Sequence, residues 1–259
     1  MAKNPTQMGT NRTGIATSPI DSKAMIDSAK SATPTSQGDE SNFANLRTEY
    51  INRAGQKPVG AIPPPTSLKG AAQAVGTLIT GKRPQVLIDM LGERLAFERM
   101  GSRIYEALLA KMNGTLPPGR SPNRQEVEEF RDQEVRHFQL LKQTMENMGL
   151  DPTVETPSAD LSGVESAGLL QVLSDPRTNI EQCLHALLVA ELADYDGWET
   201  LIQLTDALGQ TGLSNAFGEA LRDEENHLRA VRRWYADNIS AEAGVQLQYS
   251  QHMSNKRNP

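Results

Sequence analysis

Asp223-Glu224-Glu225-Asn226-His227 lies inside a long helical pattern, and within it Glu224 and His227 are three residues apart. On a helix that spacing stacks the two side chains on one face, so a carboxylate and an imidazole can hold one cation between them. A second pair at the same spacing, Glu134 and His137, lies 90 residues upstream, so two of the chain's four His carry the pattern. A single Glu-x-x-His also occurs as an ordinary contact on an exposed helix, so the weight falls on what surrounds the two pairs.

Around each pair, apolar residues recur at spacings of three and four, the signature of a helix with one buried face. After Ser214 the face runs Phe217, Ala220, Glu224, His227, Val231, Trp234 and fades near Asn238. The upstream pair sits on Val127, Phe130, Glu134, His137, Leu141, Met145, Met148, a helix that Ser121-Pro122 is expected to open and Gly149 to close. Two further helices carry lone acids on the same kind of face. From Pro84 the positions are Ile88, Leu91, Leu95, Glu98, Ser102, Tyr105, Leu109 and Met112, ended by Asn113-Gly114. After Asp175-Pro176 they are Ile180, Leu184, Leu187, Glu191, Asp194, Trp198, Leu201, Thr205 and Leu208, with a turn at 209–212.

In an antiparallel hairpin, residues equidistant from the turn lie opposite each other. Glu98 and Glu134 flank the turn at 113–121, and Glu191 and Glu224 flank that at 209–212, each pair at nearly matched depth. The connection from 150 to 178, with a short helix expected at 163–173, is too long for a hairpin and long enough to cross a bundle. The expected fold is therefore all-α: an antiparallel four-helix bundle of two helical hairpins joined by a long crossover. Four carboxylates and two imidazoles then share one core layer. Burying four carboxylates uncompensated would cost several kcal/mol each. No Lys or Arg stands on the four faces, whereas two divalent cations would bring the four charges to zero. Hard oxygen with imidazole suits iron or manganese better than tetrahedral zinc.

The rest of the chain sets bounds. A net charge of −6 with both signs mixed gives no reason to expect nucleic acid or a membrane as partner. The single Cys183 excludes an internal disulfide framework or a four-thiolate iron centre. With neither a signal-peptide run nor an apolar stretch long enough to span a bilayer, the expected location is cytoplasmic. Residues 1–82, rich in small and polar residues with Pro63-Pro64-Pro65 among them, are expected to be a largely disordered extension. Short helices within it are expected at 43–54 and 68–80, with an unidentified protein as a partner for the tail. The bundle is expected over 83–239 and a flexible tail over 240–259.

A lone Glu, a Glu-x-x-His, a second lone Glu and a second Glu-x-x-His, in that order on four helices with a long middle crossover, resemble the ferritin-like superfamily of dinuclear carboxylate proteins. Tyr105, seven residues after Glu98, stands where ferritins and rubrerythrins carry a tyrosine near the metals. The resemblance implies that Glu134 and Glu224 bridge two ions, that Glu98 and His137 bind one, and that Glu191 and His227 bind the other. Asp194 would be an added ligand of the rubrerythrin kind or a hydrogen-bonding acid behind the ligands. Asp223, on the flank of Glu224, is expected to orient a histidine of a neighbouring helix. The implied function is a di-iron oxidoreductase or ferroxidase acting on oxygen or peroxide, with homo-oligomerisation open. The alternatives are manganese-dependent peroxide disproportionation and an iron-sequestering or structural bundle. The chain departs from a full rubrerythrin in lacking rubredoxin-like Cys pairs, and from compact storage ferritins in its long tail.

Overall fold

A computed structural model describes residues 84–117 and 120–247, a helix at 41–54, and residues 23, 24, 27, 30 and 31. Among the described residues there are six helices and no strand: α1 Ser41–Ala54, α2 Pro84–Thr115, α3 Arg124–Asn147, α4 Pro157–Ser174, α5 Ile180–Ala207 and α6 Thr211–Ala243. None is long and apolar enough to cross a membrane. The chain divides into two units, residues 1–58 and 59–259. In the first, α1 carries an i,i+4 ion pair, Glu49 with Arg53, and exposes Leu46, Tyr50 and Ile51. The helix expected at 68–80 lies outside the described residues. So does most of the 1–82 extension.

In the second unit several helix starts differ from expectation, and one of them, that of α6 at Thr211 rather than after Ser214, has no side-chain cap and shortens the turn expected at 209–212. Asn123, not Ser121, caps α3, its side-chain oxygen accepting from the Glu126 N–H at 2.9 Å. Ser121 instead accepts from the Asn238 side chain through its carbonyl. Asp175 closes α4, and α5 begins after Asn179, whose capping box with Gln182 satisfies two helix-end N–H groups at once. The cap-and-Pro start does occur, at Thr156-Pro157, and it makes α4 a full 18-residue helix rather than the short one expected. At the far end α6 continues past Asn238 to Ala243, because Gly244, at φ 68°, supplies the left-handed cap.

Apart from the half-buried Ser102, Phe130, Met148 and Leu208, every residue on the four expected faces is buried. The buried apolar side chains form two clusters. One gathers Phe97 and Ile104 to Met112 of α2, Val127 of α3, Leu173 of α4, Ile180 to Ala190 of α5 and Ala230 to Trp234 of α6. The other gathers Leu87 to Leu95 of α2, Leu141 and Met145 of α3, Trp198 and Leu201 of α5, and Phe217 and Ala220 of α6. Glu134, His137, Glu191, Glu224 and His227 each fall between the stretches that their own helix gives to the two clusters, and Glu98 follows Phe97, where α2 passes from the second cluster to the first. Crossing from one apolar cluster to the other therefore means passing a polar layer. Helix α4 lies along α2, with Ser158 hydrogen-bonded to Asp89 near its start and Asp175 accepting from Lys111 just past its end. Leu173 of α4, with the partly buried Leu169 and Val172, joins the cluster that holds Ile104 and Leu108 of α2.

Candidate metal centre

Two groups of buried side chains bring ligand atoms within 4.8 Å of one another: Glu98, Glu134, His137 and Glu224, and Glu134, Glu191 and His227. Glu134 is common to both. Glu224 also reaches both imidazoles, its Oε1 lying 2.7 Å from His137 Nδ1 and its Oε2 3.1 Å from His227 Nδ1. His137 Nδ1 is 3.4 Å from Glu98 Oε2, and His227 Nδ1 is 3.3 Å from Glu134 Oε1 and 3.7 Å from Glu191 Oε2. Both imidazoles thus turn Nδ1 inward.

The outward-facing atoms are held. His137 Nε2 lies 3.3 Å from Asp223 Oδ2, and His227 Nε2 lies 2.8 Å from Gln133 Oε1. An ionised carboxylate only accepts hydrogen bonds, so the proton on His137 Nε2 faces Asp223, and a neutral imidazole would aim its Nδ1 lone pair at the carboxylates. Each lone acid has one tethered oxygen: Trp198 Nε1–H donates to Glu98 Oε1 at 2.7 Å, and the Tyr105 hydroxyl donates to Glu191 Oε1 at 2.6 Å. What remains is a set of buried atoms with no hydrogen-bond partner: Glu98 Oε2, both Glu134 oxygens, His137 Nδ1, Glu191 Oε2 and Glu224 Oε1. The 2.7 Å approach of His137 to Glu224 is short but not along a hydrogen-bonding direction. Six orphaned polar atoms converging in a dry core are what a cation would satisfy, and by atom type these fit a divalent metal.

Without a cation the layer shares protons. Burial raises Glu134 well above the usual carboxylate range, and Glu224, Glu98 and Glu191 add to that. Burial likewise pushes Glu191 up to about 8, with His227 opposing. Burial works against charge on the imidazoles, but the Glu224 and Glu98 carboxylates beside Nδ1 hold His137 at about 11, and Glu224 holds His227 at about 9. Glu224, pressed against by burial yet flanked by His227 and His137, is drawn down to about 2. Burial, with Glu191 beside it, keeps Tyr105 well above its ordinary value.

Asp194 is buried three residues after Glu191 but does not enter either group. Its Oδ1 pairs with Arg94 Nη1 at 2.5 Å. Arg94 was invisible to the helical pattern because it sits one position off the face of α2, yet its side chain is 1% exposed. Gln133 was missed for the same reason, being one residue before Glu134. Gly101 also escaped notice: a Cβ there would meet Glu134 Oε2 at 2.1 Å, so only glycine lets that carboxylate lie against α2. His185 and His252, set aside in the sequence, play no part; His185 is exposed and packs on Tyr235, and His252 lies outside the described residues.

Compared with known proteins, the sequence matches no family model, and no curated protein or solved structure is significantly similar to it.

Proposed function

We propose that the chain is a ferritin-like, dinuclear carboxylate protein whose four long helices, α2, α3, α5 and α6, form an antiparallel bundle around two divalent cations, iron foremost. The orphaned inward atoms of Glu98, Glu134, His137, Glu191 and Glu224 carry this reading. Glu98 with His137 would hold one ion and Glu191 with His227 the other, while Glu134, common to both groups, and Glu224, with one oxygen toward each imidazole, would bridge them. The alternation of apolar clusters along the helices supports the bundle: α2 and α6 visit them in one order, α3 and α5 in the reverse.

The activity that suits such a site is an oxidoreductase or ferroxidase reaction with oxygen or peroxide. A pair of ferrous ions, when bound, supplies the reducing electrons. The chain's own residues do the rest. The two apolar clusters exclude bulk water from the layer, Asp223 and Gln133 fix the imidazoles, and the Tyr105 hydroxyl holds a proton at Glu191 Oε1. Outer partners of this kind raise ligand basicity and keep ligands oriented.

The test is elemental analysis of protein purified from its own host, followed by anaerobic loading with ferrous iron and exposure to oxygen. Two irons per chain with oxygen consumed in proportion would support the reading. Manganese in their place would move the activity to peroxide disproportionation, and many irons per chain in a large hollow oligomer would move it to sequestration. A chain that takes up neither metal would end it.

A further inference from the structure

Resting on the metal-pair reading, we infer that Arg94 is a positioning residue whose guanidinium keeps Asp194 out of the ligand set and fills a three-carboxylate recess that would otherwise take a third cation. By spacing alone Asp194 belongs with the ligands, being buried and one turn from Glu191 on the same face of α5. The guanidinium intercepts it. Nη1 binds Asp194 Oδ1 and, at 3.2 Å, the Asp194 carbonyl, while Nε and Nη2 each bind one oxygen of Glu93 at 2.9 Å. The third carboxylate is Glu98 itself, whose Oε1 lies 3.9 Å from Nη1. That oxygen already accepts from Trp198, so Glu98 is left with Oε2 alone to offer inward.

The recess is built for this group. Arg94 stacks over the Phe97 ring, 4.5 Å from its centre, and a Cβ on residue 197 would lie 2.5 Å from Arg94 Cζ, so Gly197 is what admits the guanidinium. Stability alone gives weak grounds for such a pair, since a buried ion pair is often no better than an apolar replacement of the same volume. Charge gives stronger grounds. The single positive charge of Arg94 stands among three carboxylates, Glu93, Asp194 and Glu98, and is the cation this corner of the layer already holds. Without Arg94 those three carboxylates would face a vacated, cation-sized space.

Equilibrium titration with Co(II), followed by its visible absorption, tests this without reference to activity. Arg94→Ala is expected to bind one Co(II) more per chain than the native protein, with a new absorption component, and Arg94→Ala/Asp194→Ala to return to the native count. An Arg94→Ala protein with the native count and spectrum would overturn the inference. Should that variant not fold, Asp194→Asn decides: the native count and spectrum are expected, and loss of an ion or a shifted band would show Asp194 to be a ligand and overturn it. A native chain that binds no Co(II) sinks the metal-pair reading itself, before any variant is made.

Discussion

Loading the site should expel protons, and the structure sets how many. In the metal-free layer His137 and His227 are held up at about 11 and 9 and Glu191 at about 8, so at pH 7 these three carry a proton, and burial pushes Glu134 in the same direction. Glu224, drawn down to about 2, carries none. A metal ligand must be deprotonated, so filling both positions displaces about three protons per chain, or more where Glu134 also holds one. The overall constant for the pair should then rise by roughly three powers of ten per pH unit near neutrality, roughly 4 kcal/mol per unit. Calorimetric titration of the metal-free protein with Zn(II), in two buffers of different protonation enthalpy, counts the protons directly. Release of fewer than two, or a pH-independent affinity, would refute the assignment of these side chains as ligands.

The metal-free protein should lose stability as pH rises. His227, raised in the fold, contributes stability below about 6.5 that is gone by about 9, and the raised Glu191 adds a penalty growing from about 4.5 to 8, so melting temperature after chelation should fall between pH 6 and 9. The loaded protein should not show this slope; a chelated protein with a flat profile would count against the shared-proton layer. Gly101→Ala should leave the metal-free fold as stable or slightly more so, from helix propensity, while weakening metal binding at least about tenfold by displacing Glu134; unchanged affinity in a Zn(II) competition assay would show that the contact does not matter. Asp223→Asn should weaken metal binding by about 10–100-fold through the loosened His137, and the same competition assay giving native affinity would reduce Asp223 to a solvated charge.

The buried layer of acids and histidines was legible because each of them interrupts an otherwise apolar 3-4 pattern, and a pattern position fixes burial on a packed helix whatever the residue there. Glu98, Glu134, His137, Glu191, Glu224 and His227 all follow from that rule. The groups packed around that layer do not. Arg94, Gln133 and Gly197 lie beside the pattern, and their roles arise from which neighbouring helix passes them. Helix α4 was under-read for a related reason: its buried positions Ala159, Ser162 and Ser166 are small or polar, so hydropathy shows no stripe. Its start was nonetheless written at Thr156-Pro157, as the Asn179 and Gln182 capping box was for α5.

The central claim, that Glu134 and Glu224 are shared between two ions, is tested most directly by counting metals in Glu134→Ala and Glu224→Ala against the native chain. Removing a shared carboxylate deletes a ligand from both positions and leaves the two cations repelling across the gap, so both should weaken together. His137→Ala and His227→Ala should each lose mainly one. The account predicts two tightly bound Co(II) per native chain and loss of both in the two glutamate variants. Retention of two ions per chain in Glu134→Ala and Glu224→Ala, with melting temperatures of the loaded proteins unchanged, would contradict it.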